Sequence, residues 1–219
     1  MIMVSETFKD LLATSASICT VLQFLSGTLV CRKYIINGTT GDASGLSFIT
    51  CLMSCSFWLR YGQMINDHFV IWVNVFGTTL QLGYIAIYTL YSLKKNVILK
   101  QFIAAIVFIS AVYIYSLTQE DKALATKQIG FLSCSLTILF FASPLTMLAH
   151  VIKQKSADSL PFPVIISSLV VSCQWFAYGS LLEDPFIQIP NFLGCILSAC
   201  QLSLFVIYPT KKLTDSHFI

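Results

Sequence analysis

Charge is almost absent from seven long stretches of this chain, and that pattern decides what it can become. Of 219 residues, 56% are hydrophobic and only 11% are charged, whereas soluble domains carry about 25% charged residues. A water-soluble fold of this length cannot place so many apolar side chains away from solvent, so the outer surface faces lipid. A bilayer core about 30 Å thick takes roughly 20 apolar residues per helix. The runs 11–31, 46–65, 69–91, 97–117, 128–151, 162–182 and 186–208 meet that length. Each is continuous and lacks apolar/polar alternation, which selects helices over strands. The first run is too long for a signal-peptide core, and no clear small-residue cleavage site comes after it. The expected fold class is an all-α integral membrane protein with seven transmembrane helices.

Charge in the connections sets an expected orientation. Arg32, Lys33, Lys94, Lys95, Lys100, Lys153, Lys155, Lys211 and Lys212 collect on one side, and only Lys9, Lys122 and Lys127 on the other. Basic loops stay cytosolic, so the N-terminus is expected outside or lumenal and the C-terminus cytosolic. The net charge of +3 is accounted for by insertion and gives no reason to expect nucleic acid. Cys51 and Cys55 share a helical face, but the eight cysteines show no paired metal-ligand spacing. They are read as small hydrophobes, and neither a metal nor a cofactor is expected.

The chain repeats itself. Trp58, Tyr61 and Gly62 recur as Trp175, Tyr178 and Gly179; Asp67 and Phe69 as Asp184 and Phe186; Asn74 and Gly77 as Asn191 and Gly194. Thr20, Phe24 and Ser26 recur as Thr137, Phe141 and Ser143, and every pair is 117 residues apart. Leu46 and Phe48 match Leu160 and Phe162 at a shift of 114, which predicts a three-residue insertion in the first inner loop. The expected organisation is a first three-helix repeat over 1–96, a linker helix with an outer loop over 97–127, and a second repeat with a short cytosolic tail over 128–219. Three helices end on the side opposite their start, so a second copy in the same orientation requires one extra crossing. The result is two parallel three-helix bundles joined by a linker helix.

Depth selects the candidate site. Trp58 lies eight residues before the outer turn at Asn66, and Asn74 eight after it; Trp175 and Asn191 flank Glu183 in the same way. At about 1.5 Å per residue, all four lie roughly 12 Å below the outer surface, near the middle of the core. A lone Asn in a membrane helix ordinarily bonds a neighbouring helix, and a lone Trp anchors at the interface. Symmetric placement of two of each near mid-depth favours a pocket instead. An amide both donates and accepts hydrogen bonds, as sugar hydroxyls require, and an indole can lie against the apolar face of a pyranose ring. No Asp, Glu or Lys lies deep in any run; ion couplers usually keep ionisable groups there, so passive movement is the simpler expectation. Pro144 and Pro161 are candidate hinges, because a helical proline removes a backbone hydrogen bond.

Together these motifs resemble the SWEET sugar transporters, and the chain looks like an animal-type member over about residues 10–209. The resemblance is carried by Trp58-Leu59-Arg60-Tyr61-Gly62, Val73-Asn74-Val75-Phe76-Gly77, Ser143-Pro144, Ser159-Leu160-Pro161-Phe162, Trp175-Phe176-Ala177-Tyr178-Gly179 and Asp184-Pro185-Phe186 through Pro190-Asn191-Phe192-Leu193-Gly194. Parallel repeats are a known transporter architecture, and this family is itself an instance. The resemblance implies a bidirectional, facilitative sugar uniporter working by alternating access. It implies a substrate pocket at Trp58, Asn74, Trp175 and Asn191, and an outer gate of Tyr61 and Asp184. Gln23 and Phe140 fall on positions that tune substrate size, here toward a glucose-like monosaccharide. The family's first-half hinge prolines are replaced by Gly27 and Ser47. The resemblance further implies a homo-oligomer in the plasma membrane or the Golgi/endomembrane system. Arg60 is expected to snorkel to the outer interface.

Three other readings compete with this one. A seven-helix receptor shares the helix count but not a duplication. An enzyme needs an acid, base, nucleophile or metal set at depth, and His68, His150 and His217 lie at loops, edges or the tail. A coupled carrier of another small solute is the nearest rival on the same fold. The orientation is directly testable, because Asn37-Gly38-Thr39 is a glycosylation sequon placed on the cytosolic side. Treatment of cell-expressed protein with a glycosidase is expected to leave its mobility unchanged; a mass shift that is lost in Asn37→Gln would invert the topology.

Overall fold

The computed structural model describes residues 6–208; Lys211, Lys212, His217 and the expected cytosolic tail lie outside the described residues. Within them the chain forms α1 (Glu6–Leu25), α2 (Gly27–Asn37), α3 (Leu46–Ile65), α4 (His68–Tyr91), α5 (Lys95–Thr118), α6 (Lys122–Leu139), α7 (Ala142–Gln154), α8 (Phe162–Leu181) and α9 (Pro185–Ile207). Helices α1 and α2 are one long segment bent at Ser26, and α6 and α7 another broken at Phe140–Phe141. The helices thus make seven segments, each overlapping one of the seven apolar runs. Six segments are long and apolar enough to cross a membrane. The seventh, α3, falls short because Arg60 and Gln63 dilute its second half.

Each bend has a local cause. At Ser26 both the N–H and the hydroxyl donate to the Gln23 carbonyl, at 3.1 and 2.6 Å, replacing an i→i+4 bond by a tighter i→i+3 turn. In the other segment, Phe140 and Phe141 donate to Thr137 and Ile138, three residues back, at 3.2 and 3.0 Å. Pro144 lies four residues after Phe140 and has no N–H to offer its carbonyl.

The chain divides into two compact units, Met1–Leu136 and Thr137–Ile219. The division falls inside α6, whereas the second copy of the sequence repeat begins near residue 128. The corner between α5 and α6 ties the start of α6 to the first unit. The Tyr115 hydroxyl donates to the Gln128 side chain, Gln119 Nε2 donates to the Tyr115 oxygen at 3.1 Å, and Lys122 Nζ donates to the Leu117 carbonyl at 2.9 Å.

In the first unit α4 is central, with α1, α2, α3 and α5 packed on it. Ile49, Leu52, Ile85, Tyr88, Ile98 and Ala105 form a buried cluster at the end bearing the basic loops. In the second unit α9 takes the role of α4, with α7 and α8 against it, and Val151, Ala157, Leu160, Ile165 and Leu204 form the buried cluster. The 117-residue shift extends to the backbone: Thr40 N–H donates to the Tyr91 carbonyl and Ala157 N–H to the Tyr208 carbonyl, both at 3.2 Å. The expected three-residue insertion does not appear in the connections. Residues 38–45 join α2 to α3 and residues 155–161 join α7 to α8, a difference of one residue, and α3 and α8 both have 20 residues. Ser47 therefore lies in the first turn of α3, whereas Pro161 is the residue before α8.

Arg60 has partners on α3 and in the last turn of α5. Its Nε donates to Ser116 Oγ at 2.7 Å, one terminal nitrogen donates to Gln63 at 3.2 Å, and the guanidinium lies 5.8 Å from the Tyr113 ring centre. A serine within reach on the next helix gives the cation a partner that sequence spacing does not reveal.

The α3–α4 and α8–α9 hairpins close tightly at the turns through Asn66 and Glu183. A Cβ at Gly62 would lie 2.9 Å from Val70 and 3.1 Å from the Ile71 nitrogen; one at Gly179 would lie 2.9 Å from Ile187 and 3.0 Å from the Gln188 nitrogen. Backbone atoms cannot swing aside, so Gly179→Ala is expected to destabilise by about 1–3 kcal/mol. Gly83→Ala meets nothing within 4 Å and gains helix propensity of about 1 kcal/mol. Thermal unfolding in detergent should separate the two variants in opposite directions, and equal melting temperatures would refute the close-approach account.

Candidate functional site

The residues singled out by depth form two constellations, one in each unit, with matching local geometry. In the first unit, the chain leaves α3 through Asn66 in a left-handed conformation (φ 56°), which asparagine tolerates better than most residues. Asp67 then caps α4, its N–H returning to the Gly62 carbonyl at 3.0 Å and its carboxylate accepting the Val70 N–H at 2.9 Å. In the second unit Glu183 takes the left-handed turn (φ 54°), and the Asp184 N–H donates to the Gly179 carbonyl at 3.0 Å. The Asp184 carboxylate accepts from Phe186 and Ile187 at 2.9 and 3.3 Å. A carboxylate at a helix N-terminus is favoured by both the free N–H groups and the helix dipole.

These caps fix the register of α4 and α9. Asn74 lies one turn after Val70 and donates Nδ2–H to its carbonyl at 2.8 Å; Asn191 donates in the same way to Ile187 at 2.8 Å. One amide hydrogen is thus spent on the residue's own helix, which orients the rest of the amide. On the preceding helix Trp58 stands edge-to-face with Tyr61, ring centres 5.7 Å apart and planes at 85°. Trp175 and Tyr178 repeat this at 5.7 Å and 76°. Tyr61 and Tyr178 are buried, as are Trp175 and Asn74, while Trp58, Asn191 and Asp184 are half-buried. Each tyrosine braces its tryptophan, and each aspartate sets the helix that carries the asparagine.

The remaining candidates lie at the bends. Gln23 is half-buried and its carbonyl is the acceptor of the Ser26 turn. Phe140 is half-buried at the break before α7, and Pro144 lies in the first turn after it. Gly27 opens α2, with the Tyr84 ring directly over it. Ser47 and Pro161 are exposed.

Two further polar residues on α4 lie outside the set selected by depth. Thr78 and Gln81 come after Asn74 at the i+4 and i+7 positions, so all three share one helix face. Gln81 is 5% exposed, and neither the Thr78 hydroxyl nor the Gln81 side-chain oxygen has a hydrogen-bond partner within the described residues. An apolar helix with a polar residue at every turn on one side is a signal that spacing alone could have given. Among the described residues, no cluster of three His, Cys, Asp or Glu is arranged to hold a metal ion.

A tandem repeat of apolar helices, each copy carrying the same Trp, Tyr, Asp and Asn, defines a multi-pass membrane protein built as transporters are. Comparison with known proteins carries this further. The family described as "Sugar efflux transporter for intercellular exchange" matches residues 10–96 and 127–213, two stretches that begin 117 residues apart (127 − 10). The chain belongs to this family, which comprises transporters, and it is not an enzyme. It is 48% identical over 212 residues to "Sugar transporter SWEET1" of Drosophila pseudoobscura pseudoobscura, covering 95% of this chain and 93% of that protein. It is 32% identical over 212 residues to "Bidirectional sugar transporter SWEET2" of Arabidopsis thaliana, covering 94% and 90%. A solved eukaryotic SWEET transporter structure superposes with a TM-score of 0.84 at 28% identity, covering 92% of this chain and 98% of that one.

The two aspartates share a capping geometry but differ in their expected second role. Asp67→Ala should cost about 1 kcal/mol through loss of the cap and leave transport rates near normal. Asp184→Ala should lose a comparable cap and also slow the transport cycle. Melting curves and uptake rates measured side by side check this; equal kinetics in both variants would remove Asp184 from the gate.

Proposed function

We propose that the chain is a facilitative, bidirectional sugar uniporter. It takes a monosaccharide of glucose-like size and works by alternating access around a pocket near mid-membrane. The observation that carries this reading is the duplicated half-site: the same Trp, Tyr, Asp and Asn, held by the same bonds, in both repeats. Relatives over nearly the full length are named as sugar transporters, one of them as bidirectional. Trp58 and Trp175 offer apolar faces for a sugar ring. Asn74 and Asn191 each keep an amide oxygen and a second N–H for hydroxyl groups. Thr78 and Gln81 continue the polar face of α4 from Asn74 toward the end with the basic loops.

Gln23 and Phe140 limit the size of the ligand, and Tyr61 with Asp184 closes the outer side. The bends at Gly27 and Pro144, together with Ser47 and Pro161, are where the two units flex. The protein is multi-pass in the plasma membrane or an endomembrane, N-terminus outside or lumenal, and it assembles as a homo-oligomer. A passive cycle is favoured over a coupled one because the acidic residues of the described spans sit at helix ends, where a proton relay through mid-membrane has no stepping stone.

Removing one hydrogen-bonding group from a desolvated pocket costs about 1–3 kcal/mol, or about 5- to 150-fold in affinity. Asn74→Ala and Asn191→Ala are each expected to lower radiolabelled glucose uptake by about that factor, with surface expression unchanged. Uptake at the parental level in either variant would defeat the assignment.

A further inference from the structure

The bend in the first segment is clamped by a residue that lies well outside the pocket set. Tyr84, on α4, places its ring directly on the backbone of Gly27: a Cβ built there would lie 2.5 Å from Cε2 and 2.9 Å from Cδ2. The ring is backed by Phe48 of α3, with centres 5.6 Å apart. Its hydroxyl donates to the Phe24 carbonyl at 3.0 Å and lies 3.0 Å from Thr28 Oγ1. A phenol has one hydrogen to give. With that hydrogen on Phe24, the Thr28 hydroxyl must be the donor in the second bond. One side chain thereby joins the residue before the bend to the residue after it.

The internal repeat supplies a control. At the 117-residue shift, Gly27 corresponds to Pro144 and Tyr84 to Gln201. The second unit breaks its segment with a proline, which withholds an N–H from the carbonyl four residues back. The first unit has no proline there: the counterpart of Phe140 is Gln23, whose carbonyl is taken by Ser26, and the next carbonyl, that of Phe24, receives the Tyr84 hydroxyl. A ring large enough to clamp the bend fits only because residue 27 has no side chain. Gly27 with Tyr84, and Pro144 with Gln201, are two matched solutions to one problem.

The clamp also aims part of the site. Phe24 is next to Gln23, and its ring lies against Gly77, where a Cβ would be 2.7 Å from Phe24 Cε2. Gly77 is one helical turn beyond Asn74. The bend therefore sets where Gln23 and Phe24 stand relative to the asparagine.

We propose that Tyr84 is a positioning residue that holds the bend of the first segment in place of a proline, and through it sets the sugar-size selectivity exerted at Gln23. The selectivity half rests on the reading of Gln23 as a pocket residue; the clamp does not. The test uses the full-length chain in lipid nanodiscs. Nitroxide labels are carried on ketone-bearing amino acids at positions 11 and 36, which are exposed and on opposite sides of the bend. Tyr84→Phe keeps the ring and removes the hydroxyl. It is expected to broaden the distance distribution, with about a five-fold gain in straightened conformers, the equivalent of one ordinary hydrogen bond. The uptake ratio of glucose to a disaccharide should fall with it. Gly27→Pro alone should be disrupted by the Tyr84 ring, whereas Gly27→Pro/Tyr84→Gln, copied from the second unit, should restore both the narrow distribution and the ratio. An unchanged distribution in Tyr84→Phe, or a double variant no narrower than Gly27→Pro alone, overturns the clamp. A broadened distribution with an unaltered sugar ratio overturns the selectivity half and removes Gln23 from the pocket.

Discussion

Two helices can approach within backbone contact only where a side chain is missing from the gap, and both hairpins of this protein use that rule beside their turns. Gly62 and Gly179 admit the backbone of the following helix. Asp67 and Asp184 then collect the N–H groups that a membrane helix end would otherwise expose. With the crossing and the cap fixed, helical spacing determines the positions of Asn74 and Asn191. The back-bonds of the two asparagines set how their amides point. Close packing at one end of the hairpin is what fixes where along α4 and α9 the asparagines stand.

The two units then diverge where the repeat permits it. Arg60 in the first unit is bound to Ser116 and lies over Tyr113, fastening α3 to α5; its counterpart in the second unit is Ala177, which can do neither. The bend of the first segment depends on a bridging phenol, and that of the second on a missing N–H. Shared architecture with different fastenings is what a duplicated chain tolerates, because the requirement is a bent helix and not a particular residue.

Much of this is legible in the sequence. The seven runs are readable because lipid imposes length on any helix that crosses it, and the pocket candidates because duplication repeats whatever function needs. The legible part ends where a neighbour, instead of the chain itself, decides. α1 extends to Glu6 and α2 to Asn37, beyond the apolar run, because helix ends outside the core need no hydrophobicity. The apparent insertion before α3 comes from matching Leu46 with Leu160, a local similarity that the 117-residue backbone pairing of Thr40 and Ala157 overrides. The partner of Arg60 is hidden from the sequence because Ser116 is 56 residues away. Tyr84 looks like one more aromatic in an apolar helix, since nothing in its own neighbourhood marks the carbonyl it reaches.

Passive movement of sugar by an uncharged, duplicated polar set is tested most directly by labelled glucose flux into and out of liposomes holding the purified protein. The flux is measured with and without an imposed pH gradient. Equal movement in both directions, independent of the pH gradient and stopping when concentrations match, is the expected result. Accumulation of glucose above equilibrium, driven by protons, would contradict it.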